Sequence, residues 1–392
     1  MNLFSFAIPS VALAAMTLPG TCELALLTIG AALPSRKPGA RSNRIRRLAV
    51  VIPAHNEART IGKCLESVSK CMRPNWVECR VFVVADNCSD ATGDVARRAG
   101  AEVLVRVDSS RLGKNFALRY ALDHVLEAGF EAVLVIDADT TAEPNLLIEI
   151  VDWLDSGADG VQCRYLVANT TESVRTRLMT IALMAFNVLR PRGRARWGLS
   201  AGILGNGFAL SASTLRAVPY RAESIVEDLE YHLELVRGGR RVAFADATCV
   251  RAEMPAGSDS AVSQRARWEG GRFGFAARTI PGLIAKILRG ELRLVEPLLD
   301  LLLMPLGLHV LMLVSLLAIP YSAGRFIAAA SLAVVGIHVI AGIILGGGGV
   351  DELSALAAAP WYIGWKLMVL PQILRSARRH SEWVRTQRAG ES

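Results

Sequence analysis

Leu48-Ala-Val-Val-Ile-Pro-Ala-His-Asn-Glu57 and Ala132-Val-Leu-Val-Ile-Asp-Ala-Asp139 are the two stretches that decide the fold of this chain. Each begins with an uninterrupted apolar run rich in β-branched residues and then becomes polar. Short runs of this kind are typical of strands that are buried on both faces of a parallel sheet. Ligands bind beyond the carboxyl ends of such strands. The two polar ends therefore predict a binding site at one edge of a parallel sheet.

Strand-like and helical patterns alternate around these two stretches. The strand-like runs are Leu48–Ile52, Arg80–Ala85, Glu102–Val107 and Ala132–Ile136, and the helical segments that follow them are Ala58–Cys71, Thr92–Gly100, Asn115–Ala128 and Pro144–Asp155. Strands separated by helices indicate βαβ units. The second half is more mixed, with helical patterns at Glu172–Arg190, Glu223–Arg237 and Asp259–Arg272 and a basic loop at 190–196. We predict an α/β fold with a Rossmann-like, mostly parallel sheet and flanking helices.

The N-terminal end of the chain is a candidate membrane span. Hydrophobic residues make up 52% of the 392 residues, the mean hydropathy is +0.34, and the apolar residues are concentrated at the ends. Leu3 to Leu33 contains one charged residue, Glu23, and is long enough to cross a bilayer. A secretory signal peptide has basic residues before its apolar region, and none precedes this run. The basic cluster from Arg36 to Arg47 predicts an external N-terminus and a cytoplasmic domain after the span.

The C-terminal end contains further apolar segments. We predict spans at 298–320 and 324–347, and an amphipathic segment that lies in the membrane interface at 276–297. A third apolar stretch, 354–374, is interrupted by Pro360 and Lys366, so an interfacial or re-entrant segment and a third tilted span both stay open. The predicted domains are a span at 1–34, a basic linker at 35–47, a cytoplasmic α/β domain at 48–275, the membrane segments just given, and a basic tail at 375–392.

Charge and cysteine content narrow the class of partner. The net charge of +8 comes mainly from basic clusters beside the apolar segments, which favours contact with anionic membrane lipids over nucleic acid. The seven cysteines show no C-x-x-C spacing. In a cytoplasmic domain we expect these thiols to be reduced, without a disulfide framework or a zinc site.

Four charged residues at predicted strand ends or helix starts suit nucleotide and metal binding. Asp137 and Asp139 present hard oxygen ligands for Mg²⁺ or Mn²⁺ held jointly with diphosphate, although two acids at a strand end are also explained as solvated or helix-capping groups. Asp86 ends another strand, where its carboxylate can accept the N3–H of a uracil, and turn chemistry alone also accounts for it. Lys114 begins a helix and can face phosphate, or it is simply a basic helix start.

One later acid and one later cluster of three residues suit the transfer step. Asp228 lies on a helix with an apolar face, and we assign it as a general base, with a surface acid as the ordinary alternative. Gln264, Arg267 and Trp268 are neighbours on one helix at spacings of three and four. Arginine binds phosphate oxygens and tryptophan offers an apolar surface to a sugar, whereas a basic helix resting on a membrane explains the same residues without a ligand.

The ordered set of acidic and basic positions carries a family resemblance. The chain resembles the membrane-bound, processive-type members of glycosyltransferase family 2, which are cellulose synthase-like and chitooligosaccharide or poly-N-acetylglucosamine synthase-like enzymes. The similarity spans Ala49 to Trp268 and includes the spaced D, DxD, ED and QxxRW motifs. It implies a GT-A fold, a UDP-sugar donor and a divalent cation.

The resemblance also implies a role for each matching residue. The turn from Pro53 to Glu57 and Asp86 would hold the uridine, and Lys114 would approach the nucleotide. Asp139 and Asp137 match the metal-binding acids, with Asp139 the stronger candidate for direct contact. Asp228 would deprotonate the acceptor hydroxyl. The segment that closes over diphosphate and acceptor would be Gln264, Arg267 and Trp268.

The resemblance implies a metal-dependent hexosyltransferase that inverts the anomeric centre of a UDP-glucose-type or UDP-N-acetylglucosamine-type donor. We expect it to act at the cytoplasmic face of the inner membrane, on a lipid-linked or growing saccharide, in polysaccharide or glycolipid biosynthesis. Cellulose synthase relatives have more spans, so secretion of a polymer would need a second copy or an export partner. The alternative is a catalytically idle scaffold of a synthase complex. An oxidoreductase is disfavoured because the first strand runs into Pro53 to Glu57 without a Gly-x-Gly-x-x-Gly turn.

Overall fold

A computed structural model describes residues 3–42, 44–254, 258–365, 368 and 371, and for 3–5 and 258–267 it describes the backbone alone. Within these residues one sheet of eight strands has the order β3-β2-β1-β4-β7-β6-β8-β5. The strands are β1 (Arg47–Ala54), β2 (Glu78–Asp86), β3 (Glu102–Arg106), β4 (Ala132–Val135), β5 (Thr140–Ala142), β6 (Gly160–Val167), β7 (Phe208–Ser211) and β8 (Val242–Ala252).

The helices of the α/β region flank this sheet. They are α2 (Ile61–Ser69), α3 (Thr92–Arg98), α4 (Lys114–Glu127), α5 (Leu146–Asp155), α6 (Val174–Met184), α7 (Arg190–Arg196), α8 (Ala212–Ala217) and α9 (Glu227–Arg237), and they follow the N-terminal helix α1 (Leu3–Ala32). A π-helix, Ala185–Leu189, joins α6 to α7. The remaining helices are α10 (Ser258–Leu288), α11 (Val295–Leu302), α12 (Leu306–Ala318), α13 (Ser322–Gly346) and α14 (Val350–Ala355).

The predicted parallel half of the sheet is confirmed. Strand β1 pairs in parallel with both β2 and β4, and β2 pairs in parallel with β3. Alternate residues of β1 face two hydrophobic layers, with Val50 in one layer and Val51 in the other, and neither is accessible to solvent. A strand that is buried on both faces needs the continuous apolar run that the sequence shows. Strand β7 is antiparallel to both of its neighbours, β4 and β6, so the sheet is mixed.

The basic segment 190–196, which we predicted as a loop, is the helix α7, so that prediction was wrong. Pro191 is at its first turn, where a missing backbone N–H is tolerated. Arg190 and Arg194 are buried, with 5% and 7% of their surfaces exposed. Proline, glycine and four arginines favour a loop locally, but these guanidinium groups have carboxylate partners on distant helices.

Six charged side chains from four helices form a buried charge network. They belong to α1, α7, α10 and α11 and are Glu23, Arg190, Arg194, Arg272, Glu296 and Asp300. Asp300 accepts hydrogen bonds from Arg190 and Arg194, and its second oxygen lies 3.0 Å from Arg272. Three positive and three negative charges balance. The network therefore ties the N-terminal helix to the α/β region without a net buried charge.

Two helices of the described chain are long and apolar enough to span a membrane: Phe6–Ala32 within α1, and α13. The segment that we predicted as one span at 298–320 is divided between α11 and α12, which meet at 76°. Pro305 lies at the bend, where it removes a backbone donor and disfavours the helical conformation of the residue before it. Residues 359–365 are helical, and 375–392 lie outside the described residues.

The predicted helix 259–272 and the first part of the predicted amphipathic segment 276–297 belong to one helix, α10, which ends at Leu288. Pro281 lies within it. Ile284 and Leu288 are 43% and 82% exposed, so α10 presents apolar side chains to its surroundings near its C-terminal end. Exposed apolar residues beside basic ones are typical of a helix in a membrane interface.

Candidate active site

A cavity of about 1420 Å³ lies beyond the carboxyl ends of the parallel strands. The predicted site residues that line it are Pro53, Glu57, Asp86, Lys114, Asp137, Asp139, Asp228 and Trp268. Gln264 and Arg267 lie on α10, but their side chains are outside the described part of the chain. The cavity thus brings together residues that are up to 215 positions apart in the sequence, from Pro53 to Trp268.

Asp86 is held in place at the end of β2. Its Oδ1 accepts a hydrogen bond from Arg106 at 2.6 Å and another from the Asn87 side chain at 3.1 Å. Asn87 has a φ of 49°, in the left-handed region that asparagine tolerates better than most residues. Both of these hydrogen bonds are to Oδ1, so Oδ2 is the carboxylate oxygen that can accept a hydrogen bond from a ligand. Sequence reasoning missed Arg106, although the register of β3 places it opposite Asp86.

Lys114 lies between the acids that we predicted as metal ligands and the acids at the start of α9. Its ammonium pairs with Asp137 and donates to the Gly205 carbonyl at 2.5 Å. Burial lowers the pKa of Lys114, whereas the charges of Asp137, Glu227 and Asp228 raise it. The charges have the larger effect, so the pKa of Lys114 is raised. Lys114 is therefore a cation surrounded by carboxylates at the centre of the cavity.

The loop at Gly205 and Asn206 braces this centre. Asn206 accepts from the backbone N–H of Asp137 at 3.1 Å and donates to Thr140 at 2.8 Å. Gly205 has a φ of 76°, and a Cβ there would lie 3.3 Å from an oxygen of Asp228. A side chain at this position would press on Asp228 and would also strain the backbone. The loop thus fixes the spacing between the two groups of acids.

Asp137 and Asp139 offer a donor set that fits a hard divalent cation. Burial raises the pKa of the Cys64 thiol to about 12, and the charges of Asp139 and Asp137 add to that shift, so both carboxylates act on the same region. No group of three or more His, Cys, Asp or Glu side chains that could hold a metal occurs among the described residues. Mg²⁺ commonly binds through one or two carboxylates together with substrate phosphates, which this pair permits. Asp137 also pairs with Lys114.

Glu227 and Asp228 begin α9, and both half-buried side chains line the cavity. Burial and the neighbouring charge of Asp228 raise the pKa of Glu227 to about 7. Burial also raises the pKa of Asp228, although the backbone N–H of Leu229 and the charge of Lys114 oppose that shift. Two neighbouring acids in a cavity with raised pKa values suit proton transfer near neutral pH. Sequence reasoning selected Asp228 and did not anticipate that Glu227 would line the cavity beside it.

Glu227→Gln is expected to raise the melting temperature at pH 8 and to change it much less at pH 5. Folding raises the pKa of this carboxyl from 4.5 to about 7. As the pH rises from 4.5 to 7, the carboxyl ionises more readily in the unfolded chain, so the folded state becomes progressively less stable. Above pH 7 the cost is about 3 kcal/mol, from about 1.4 kcal/mol per pKa unit. Thermal unfolding in detergent at both pH values measures it. Asp351→Asn, at an exposed position of α14, is the control, and an equal gain for Glu227→Gln at both pH values would contradict the assignment.

Comparison with known proteins identifies similar chains. The family model described as "Glycosyltransferase like family 2" matches residues 46–271. The "Probable glycosyltransferase YdaM" of Bacillus subtilis (strain 168) is 27% identical over 234 residues, which cover 57% of this chain and 55% of that protein. An N-acetylglucosaminyltransferase of Rhizobium leguminosarum bv. viciae is 23% identical over 257 residues, covering 62% of this chain and 60% of that one. The chain spans about half the length of the curated relatives it matches.

A solved structure matches nearly the whole chain. The mannosyltransferase PcManGT from Pyrobaculum calidifontis, in complex with GDP-Man and Mn²⁺, gives a TM-score of 0.56 at 18% identity and covers 95% of this chain and 97% of that one. At that identity the likeness shows the fold alone. It confirms the predicted GT-A arrangement of the α/β region.

Proposed function

Since this chain belongs to glycosyltransferase-like family 2, whose model covers more than half of it, we propose that it transfers a sugar from a UDP-sugar to a lipid-linked or growing saccharide acceptor. The donor is of the glucose or N-acetylglucosamine type, and the product has the inverted anomeric configuration. The observation that carries the proposal is the convergence of Asp86, Lys114, Asp139 and Asp228 in one cavity at the strand ends.

The donor lies along the strand ends in this proposal. The turn from Pro53 to Glu57 and Asp86 bind the uridine, and Oδ2 of Asp86 accepts the N3–H of uracil. Lys114 lies beside the diphosphate, where its positive charge offsets negative charge. Asp139, with Asp137, would hold Mg²⁺ or Mn²⁺, and that ion would supply charge stabilisation to the departing diphosphate. Arg272, which lines the same cavity, keeps its charge partner Asp300.

Asp228 is the general base of the proposed reaction. It takes the proton from the acceptor hydroxyl, and the freed oxygen forms a bond to the anomeric carbon from the face opposite the diphosphate. The bond between that carbon and the diphosphate oxygen breaks, and UDP departs with the electron pair. The acceptor oxygen must lie within about 2.6–3.2 Å of Asp228 for the proton to move. Trp268, 38% exposed in the cavity wall, offers an apolar surface to the sugar.

The proposed location is the cytoplasmic face of the inner membrane. Two candidate membrane spans, Phe6–Ala32 of α1 and the whole of α13, support membrane attachment. The basic residues from Arg36 to Arg47 follow α1 directly and favour a cytoplasmic α/β domain. Protease protection in oriented membrane vesicles tests this orientation, because cleavage of the α/β domain only in inside-out vesicles is expected.

Turnover of a nucleotide-sugar tests the proposed activity. Purified full-length protein with Mn²⁺ is incubated with UDP-glucose, UDP-N-acetylglucosamine or GDP-mannose, and the release of nucleoside diphosphate is measured. We expect release from one of the UDP-sugars. A folded protein that neither binds nor hydrolyses any of the three would overturn the proposal and favour the scaffold alternative.

Removal of the metal is expected to abolish this turnover. EDTA should lower the rate by at least about 10²-fold, because the diphosphate charge then has no cation to offset it. Excess Mn²⁺ or Mg²⁺ should restore it. A rate that does not change in EDTA would remove Asp139 and Asp137 from the proposed metal role.

A further inference from the structure

The cavity extends well beyond the candidate active site. From Asp228 and Trp268 it continues between α6, the π-helix, α12 and α13, and it reaches Leu24 of α1. Ligand pockets commonly measure about 300–1,000 Å³. At about 1420 Å³ this cavity exceeds that range. There is room in it for a second molecule beside a nucleotide-sugar.

The extension, which we call the apolar arm, is lined mainly by hydrocarbon. Six of its residues are Leu178, Ile181, Ala182, Leu306, Val335 and Val339. Phe186 also lines the cavity and remains 39% exposed, so a large apolar side chain faces open space inside the fold. A saccharide in such an environment would lose hydrogen bonds from its hydroxyl groups to water without gaining partners, which is costly. A hydrocarbon chain has no such penalty and gains by being buried.

The depth of the apolar arm matches one leaflet of a membrane. Val335 lies eleven residues before the end of α13 at Gly346, which is roughly 16 Å along the helix. Leu24 lies eight residues before the end of α1 at Ala32, or roughly 12 Å. The hydrocarbon core of a bilayer is about 30 Å thick, so one leaflet is about 15 Å. If α1 and α13 cross the membrane, the arm extends through the inner leaflet.

We infer that the acceptor is a lipid, with its hydrocarbon tail in the apolar arm and a hydroxyl-bearing head group beside Asp228. This inference rests on the proposed function and names its acceptor class. Four residues of the charge network line the cavity, Arg190, Arg194, Arg272 and Asp300, and each of the three arginines is paired with a carboxylate of the network. A hydroxyl acceptor must lose a proton, and Asp228 is placed to take it. The tail holds the lipid while the hydroxyl oxygen forms the new bond.

A series of alkyl glucosides with tails of increasing length tests the inference. Wild-type protein in lipid nanodiscs receives methyl, butyl, octyl or dodecyl β-glucoside below micellar concentrations, and kcat/KM for sugar transfer is measured for each. Every buried methylene is worth about 0.8 kcal/mol, or up to about four-fold. We therefore expect kcat/KM to rise more than ten-fold from the butyl to the octyl glucoside.

Filling the apolar arm should remove this dependence. Ala182→Trp places a large side chain in the arm and is expected to flatten the increase of kcat/KM with tail length. Ala329→Trp, on the outside of α13 and away from the cavity, is the matched control and should keep the wild-type dependence. Melting temperatures of both variants show that they are folded.

The outcomes separate this inference from the proposed function. Donor hydrolysis with a flat dependence on tail length would overturn the lipid acceptor and leave the transferase standing. The same holds if soluble cello- or chitooligosaccharides are better acceptors than octyl glucoside. Transfer to a polyprenyl phosphate but not to the alkyl glucosides would overturn the hydroxyl-bearing head group. Absence of donor binding and hydrolysis would instead overturn the proposed function itself.

Discussion

Asp228→Asn is expected to lower kcat for sugar transfer by about 10²–10⁴-fold, which is the usual contribution of a general base. The amide is nearly the same size as the carboxylate but cannot take the acceptor proton. Donor binding should be largely retained, because Asp86, Lys114 and Asp139 are unchanged. Single-turnover transfer from a radiolabelled UDP-sugar measures the chemical step, and a UDP titration measures the binding.

Glu234→Gln is the matched control for this experiment. Glu234 lies on the same helix as Asp228, carries the same type of charge and is likewise half-buried. It does not line the cavity, so transfer should proceed at the wild-type rate. If Asp228→Asn transfers sugar as fast as Glu234→Gln, then Asp228 is not the base.

Asp300→Ala is expected to cost about 3–5 kcal/mol of stability, because it leaves buried arginines without their carboxylate. Asp300 is 7% exposed and accepts hydrogen bonds from Arg190, Arg194 and Arg272. Its loss gives the buried charge network three positive and two negative charges. The thermal unfolding of purified protein in detergent, followed by intrinsic tryptophan fluorescence, should show a large drop in melting temperature.

Asp351→Asn is the control for the stability experiment. Asp351 is exposed on α14 and has the same chemistry as Asp300 without the burial. Its substitution should leave the melting temperature close to that of the wild type. Equal melting temperatures for Asp300→Ala and Asp351→Asn would mean that the charge network does not hold α1, α7, α10 and α11 together.

The parallel half of the sheet could be predicted because its signals are local. The run from Leu48 to Ile52 has the composition of a doubly buried strand, and β1 is such a strand. The polar residues after each strand also follow from a local rule, since the carboxyl ends of parallel strands meet at one edge. Asp86 and Asp137 could therefore be placed near each other without coordinates.

The helix α7 could not be predicted because its reasons are distant in sequence. Gly193 looked like a loop residue, but a Cβ there would lie 2.3 Å from the backbone oxygen of Leu27. The glycine therefore permits the close approach of α7 and α1. Similarly, the partners of Arg190 and Arg194 come from α1 and α11, more than 100 residues away. No local pattern indicates such contacts.

The extent of the cavity could not be predicted from the sequence either. Apolar residues on α6 and α13 are equally compatible with helix packing and with a lipid-facing surface. The 76° bend between α11 and α12 gives Leu303 and Leu306 a place in the cavity wall. Pro305 lies at this bend, but the sequence analysis predicted one continuous span there, and the angle depends on packing against α1 and α13.

The most direct test of the central claim is a calorimetric titration of UDP into the purified protein, with Mn²⁺ and with EDTA, for the wild type, Asp139→Asn and Asp351→Asn. We expect Mn²⁺ to tighten UDP binding by at least about ten-fold in the wild type and in Asp351→Asn, because the ion would join the carboxylates to the diphosphate. We expect Asp139→Asn to lose this gain while it remains folded. UDP binding that is equally tight with Mn²⁺ and EDTA, or equal in all three proteins, would exclude a metal-assisted donor site at Asp139.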